Sequence, residues 1–170
     1  MRNFVIALSG IEITLSSTLS LSVREQKELK HSMLRVAKAF APFFKRQWKN
    51  SSITCSIELC GKSKIRSLNK HYRQKDKTTD VLSFQLHDRI RELKILPTPV
   101  THLGDVFICR EIAKRQALQF NISEKEEWIH LAVHGILHLC GYDHEISAAE
   151  EKLMQKLEKE ILKNIANIKH

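Results

Sequence analysis

His130-Leu-Ala-Val-His134-Gly-Ile-Leu-His138-Leu-Cys-Gly-Tyr-Asp-His144 gathers four of the nine histidines of this chain into one short stretch. Read as a helix, it projects His134 and His138 from one face, about one turn or ~6 Å of rise apart, a spacing that suits two ligands of one metal ion. Gly141 falls where a helix commonly ends in a left-handed residue, and the chain can then turn His144 back toward the pair. Three neutral imidazoles favour zinc among the available metals. They leave the fourth tetrahedral position to water, which is the arrangement of a catalytic rather than a structural site. This spacing points toward hydrolysis.

His130 lies one turn further up the same face but ~12 Å along the axis from His138, too far to share a small ion with it. It is assigned to packing or to a supporting contact behind the ligands. Cys140 falls off the shared face and is read as packing. The zincin pattern His-Glu-x-x-His has the same two-histidine spacing, yet it needs a glutamate directly after the first histidine as general base, and here that position is Gly135. Peptide hydrolysis by that route is disfavoured.

Working outward, the 170 residues fit one domain, 1–170, and a chain of this length buries enough surface to need no disulfide staple. Cys55, Cys60, Cys109 and Cys140 form no Cys-x-x-Cys pair, which favours a reduced, cytosolic setting. A net charge of +9 argues for a polyanionic partner, because Lys and Arg that neutralise phosphates supply most non-specific nucleic-acid affinity. No apolar run approaches the length of a membrane span and no lipidation motif is present. The apolar start, Phe4 to Leu8, is broken by Ser9-Gly10 and Glu12 and reads as a strand rather than a signal peptide.

In chain order, residues 3–8 and 11–15 predict an opening strand and a continuation. Ser22 to Glu25 has the form of a capping box, and Leu29, Met33, Val36, Ala37 and Phe40 mark the buried face of a helix that Pro42 is expected to end. Residues 52–59 and 80–86 alternate as strands, separated by a basic helical segment from Lys62 to Lys77. Residues 87–101 read as a loop around Pro97 and Pro99, and 102–110 as a strand antiparallel to the preceding one. A short helix then yields near Asn121 to a second capping box, Ser123 to Glu126, opening the histidine helix. A third, Ser147 to Glu150, opens a last helix with Leu153, Leu157, Ile161 and Ile165 on its apolar face. The expected class is α+β: a mixed sheet of about four strands flanked by helices, with the metal site on a central helix and the turn after it.

The motif His134-Gly-Ile-Leu-His138-Leu-Cys-Gly-Tyr-Asp-His144 resembles the signature of the YbeY family of bacterial rRNA-maturation endoribonucleases. Two further blocks resemble it in the same order, Leu68-Asn-Lys-His-Tyr-Arg73-Gln-Lys-Asp-Lys-Thr-Thr-Asp-Val-Leu-Ser-Phe84 and Leu103-Gly-Asp-Val-Phe-Ile-Cys-Arg110. Together they span most of residues 53–162. One departure is Thr78, where the family usually has proline, and residues 87–101 and the first fifty residues resemble the family only weakly. The resemblance implies one zinc ion on His134, His138 and His144, and a functional arginine, Arg73, near the metal. It further implies cutting of single-stranded RNA at the 3′ end of small-subunit (16S) rRNA, the small ribosomal subunit as partner and a cytoplasmic setting.

A guanidinium that engages two phosphate oxygens at once suits Arg73 as an anion clamp. Asp143 is either a carboxylate orienting a ligand imidazole or a turn former, and Tyr142 and Trp128 are either base-stacking rings or core. Two rivals stand beside this reading. One is a non-catalytic, zinc-containing, rRNA-binding assembly factor; the other is a metallopeptidase or amidohydrolase, argued from the histidine spacing alone.

Overall fold

The structure is a computed structural model and describes residues 3–168. Its elements run β1 (Phe4–Leu8), β2 (Ile11–Ser17), α1 (Val23–Gln47), β3 (Ser52–Cys60), α2 (Lys62–Arg73), β4 (Val81–Gln85), β5 (Val100–Cys109), α3 (Arg110–Phe120), α4 (Glu124–Leu139) and α5 (Ala148–Asn167). The fold is α+β, with one mixed five-stranded sheet in the order β1-β2-β3-β5-β4. β1 and β2 pair antiparallel, β2-β3 and β3-β5 parallel, and β4 antiparallel to β5. Each parallel step needs a crossover, and α1 supplies the first of them.

The expected four strands are five. The opening strand and its continuation form a hairpin, because Gly10 at φ +88° lets the chain reverse instead of running on. α1 does not stop at Pro42 but continues to Gln47. Proline removes a ladder hydrogen bond there, and what holds the helix beyond it is aromatic burial. Phe40 stacks on Phe44 at 5.3 Å between ring centroids and Phe44 on Trp48 at 5.8 Å, all three buried. The loop before β5 carries a single 3-10 turn, Ile90–Glu92, pinned by the buried Ile90.

α1, α4 and α5 pack together, α1 on β1 and β2 and α4 on β4 and β5, and bury the main core. Alternation along β4 sends Leu82 and Phe84 to the opposite side, into a smaller cluster with Ile65 of α2 and Ile112 of α3. Because β4 is an edge strand, the end of α2 comes round beside that edge and brings its last residue, Arg73, within reach of Ser83. No described helix is long and apolar enough to cross a membrane.

Candidate metal centre

α4 is the buried helix of the fold. Ser123 caps it: its hydroxyl accepts from the Glu126 amide at 3.2 Å, and the Glu126 carboxylate accepts from the Ser123 amide at 2.7 Å. Trp128, Ile129, Leu131, Ala132, Val133, Ile136, Leu137 and Leu139 then bury it on nearly every side. Gly135 lets it approach the sheet, since a β-carbon there would stand 2.5 Å from Val106 Cγ1 and 3.1 Å from Ser83 Oγ. The position that a zincin gives to its glutamate base therefore has no room even for a methyl group.

The helix ends as its sequence predicts. Gly141, at φ +87°, donates to the His138 carbonyl at 2.9 Å and Tyr142 to the Leu137 carbonyl at 3.1 Å, a Schellman closure that swings the chain back over the last turn. That closure delivers His144. Ring centroids of His134, His138 and His144 lie 4.7, 5.3 and 5.2 Å apart, and one nitrogen from each falls within 4.8 Å of the others. The Nε2 atoms of His134 and His138 are 3.1 Å apart. Two nitrogens bound to one tetrahedral zinc at ~2.05 Å would sit ~3.3 Å apart, so the donor set fits the ion.

Burial, then the neighbouring imidazoles of His134 and His144, push His138 down to about 4, leaving its ring neutral at physiological pH. Neutral imidazole is the form that binds metal. Behind the cluster, Glu158 of α5 accepts from His134 Nδ1 at 3.1 Å. Burial alone would raise the Glu158 carboxyl, but the hydrogen bond from His134 and the nearby imidazoles outweigh it and hold it below the ordinary range. His130 joins no ligand set. Its Nε2 lies 3.8 Å from Glu158 and its Nδ1 3.7 Å from the buried Glu127, whose contact raises the His130 pKa.

In front of the cluster, two adjoining hollows of about 560 and 480 Å³ share Arg73, Ser83, His138 and Asp143. One extends past Gln85, Asp88 and Arg89, the other past Lys75, Asp80, His134 and His144, so a continuous cleft crosses the imidazoles. Arg73 is exposed at its rim, its guanidinium donating to the Ser83 carbonyl at 3.4 Å. All four residues singled out from sequence, His134, His138, His144 and Arg73, thus line one cleft.

Other expectations separate here. Asp143 makes the turn, accepting from the Glu145 amide at 2.9 Å, and the carboxylate that reaches a ligand imidazole is Glu158. Sequence reasoning missed Glu158, although it stands four residues after Met154 and three before Ile161, both buried positions of α5. Trp128 is buried, and Tyr142 is half-buried beneath the Arg91 guanidinium, 4.8 Å from its ring centre. Tyr72, beside Arg73, is an exposed aromatic instead. Cys140 is buried among core residues, as its place off the ligand face requires.

An α+β scaffold that converges three imidazoles on one point beneath an open polar cleft defines a protein with a candidate single-metal centre. The chain matches the family model described as Endoribonuclease YbeY over residues 17–166, and it belongs to that family. Relatives named Endoribonuclease YbeY include one from Aquifex aeolicus, 42% identical over 116 residues that cover 68% of this chain and 73% of the relative. Another, from Leptospira interrogans, is 40% identical over 129 residues that cover 70% of this chain and 92% of the relative. Among solved structures, the solution structure of TM1509 from Thermotoga maritima superposes with a TM-score of 0.56 at 25% identity, covering 90% of this chain and 88% of that one.

Proposed function

We propose that this chain is a zinc-dependent endoribonuclease that cuts single-stranded RNA. The observation that carries the reading is the convergence of His134, His138 and His144 with Arg73 in one cleft, in a chain whose family is named for endoribonuclease activity. The same reading takes residues 1–170 as one catalytic domain. It assigns the 3′ end of small-subunit rRNA as substrate, the small ribosomal subunit as partner and the cytoplasm as setting. The net charge of +9 suits a polyanionic substrate.

His134, His138 and His144 hold the ion. Zinc bound there supplies a Lewis acid and a water whose pKa is lowered to about 7. His138 offers its lone pair without first losing a proton, because its ring is already neutral. At the rim, the planar guanidinium fork of Arg73 can take two oxygens of the scissile phosphate as negative charge accumulates on them. The Ser83 carbonyl holds that guanidinium toward the cleft. Gly135 weighs against the peptidase alternative, since no base fits beside His134 in the zincin manner. The test is cleavage of an end-labelled single-stranded fragment of the small-subunit rRNA 3′ end by wild type, Arg73→Ala and His138→Ala purified identically. Both variants should lose cutting, with zinc content falling only in His138→Ala. Equal cutting by all three would refute the reading.

A further inference from the structure

We propose that Glu158 is the positioning residue of the metal centre: it fixes the tautomer and orientation of His134. The inference rests on the zinc-site reading above and extends it to α5. His134 has two ring nitrogens with different neighbours. Its Nδ1 faces Glu158 Oε1 at 3.1 Å, while its Nε2 faces His138 Nε2 at 3.1 Å, inside the ligand cluster. A carboxylate can only accept from Nδ1, so a single ring proton is held on that side and the lone pair is left on Nε2, facing the other two histidines. Carboxylates behind ligating imidazoles act in this way, fixing ring orientation and raising ligand basicity.

Glu158 is well placed for that duty. Its side chain is 17% exposed, and it is bracketed on α5 by the buried Met154 and Ile161, so the packing of the helix sets where the carboxylate stands. His130 Nε2 approaches the same Oε1 at 3.8 Å. His130 Nδ1 in turn stands 3.7 Å from Oε2 of the buried Glu127, an atom that has no hydrogen-bond partner among the described residues. His130 thus stands between two carboxylates at ion-pair distance, behind the three ligating histidines and not among them. The contact of Glu158 with His134 also ties the last helix to a ligand 24 positions earlier in the chain.

The experiment compares zinc affinity, by competition with a chromogenic chelator, in wild type, Glu158→Ala, Glu158→Gln, Glu160→Ala and His138→Ala, alongside nitrogen-15 NMR of the imidazoles in the metal-free protein. Glu160, on the same helix with a side chain 49% exposed, is the control for general damage to α5. Glu158→Ala should bind zinc ~10–100-fold more weakly, the usual effect of losing such a partner. Glu158→Gln, which keeps an acceptor oxygen, should fall between it and wild type, and Glu160→Ala should match wild type. The His134 signals should show the Nδ1–H tautomer in wild type and a mixture in Glu158→Ala. Wild-type affinity in Glu158→Ala, equal losses in Glu158→Ala and Glu158→Gln, or an unchanged tautomer would overturn the proposal. Wild-type affinity in His138→Ala would overturn the zinc reading beneath it.

Discussion

Replacing Gly135 by alanine adds one methyl group at the point where α4 meets the sheet. In an exposed helix that change would stabilise by ~1 kcal/mol through helix propensity. Here the new β-carbon would lie 2.5 and 3.0 Å from the two γ-carbons of Val106, a fully buried residue of β5, and 3.1 Å from Ser83 Oγ. Overpacking of that kind costs ~1–3 kcal/mol, so the net expectation is a loss of about 1 kcal/mol. Val106→Ala removes both clashing carbons, so in that background Gly135→Ala should become neutral or stabilising by up to ~1 kcal/mol, a coupling of ~1–2 kcal/mol against the ~0.5 kcal/mol scatter of independent sites. Urea unfolding of the two single variants, the double variant and wild type, all metal-stripped so that ion binding adds nothing, measures the cycle. If Gly135→Ala destabilised equally in both backgrounds, close approach of α4 to β5 would not be the reason for glycine here.

Three further outcomes follow from the same geometry. Gly141→Ala forces a β-carbon onto a residue at φ +87°, which should cost ~1 kcal/mol in unfolding experiments and weaken zinc binding by displacing His144. Arg91→Ala breaks the paired contacts of 2.7 and 2.9 Å to Glu150 at the start of α5 and should lower stability by ~1 kcal/mol, measured by thermal melting. Burial raises the Asp80 carboxyl, but bonds from Gln116, the Val81 amide and Thr79 outweigh it and lower its pKa. A depressed carboxylate contributes stability that is present above its unfolded pKa of ~3.9 and lost as pH falls through the lower folded value. Wild type should therefore lose stability more steeply than Asp80→Asn below about pH 4, and parallel acid limbs would contradict this.

The parts legible in the sequence are those built by neighbours in the chain. His134 and His138 share a face through helical periodicity alone, Gly141 closes the helix within two residues, and the caps at Ser22 and Ser123 are satisfied locally. Where a long-range partner competes, local reading fails. Ser147 caps α5 as expected, yet Glu150 does not complete the box, because its carboxylate is taken by Arg91, 59 positions away. Pro42 reads as a stop, and only the stacked rings of Phe44 and Trp48 explain why α1 goes on. Arg73 stands in a basic segment that gives it no local distinction. Its place at the cleft comes from α2 passing the edge of β4, which no periodicity encodes, and only family resemblance singled it out. Glu158 is the converse case: a carboxylate at a buried helical position, invisible as a site until α5 is laid against α4.

On the proposed function, one ion held by His134, His138 and His144 makes this chain a nuclease, with Arg73 acting on the substrate rather than on the metal. Titration of the metal-stripped protein with zinc, while single-turnover cutting of a labelled single-stranded RNA is followed, tests it most directly. Cutting by wild type should rise in proportion to added zinc and level off at one equivalent, whereas Arg73→Ala should take up the same equivalent and remain inactive. Cutting that is independent of zinc, or undiminished in Arg73→Ala, would contradict these roles for the ion and the arginine.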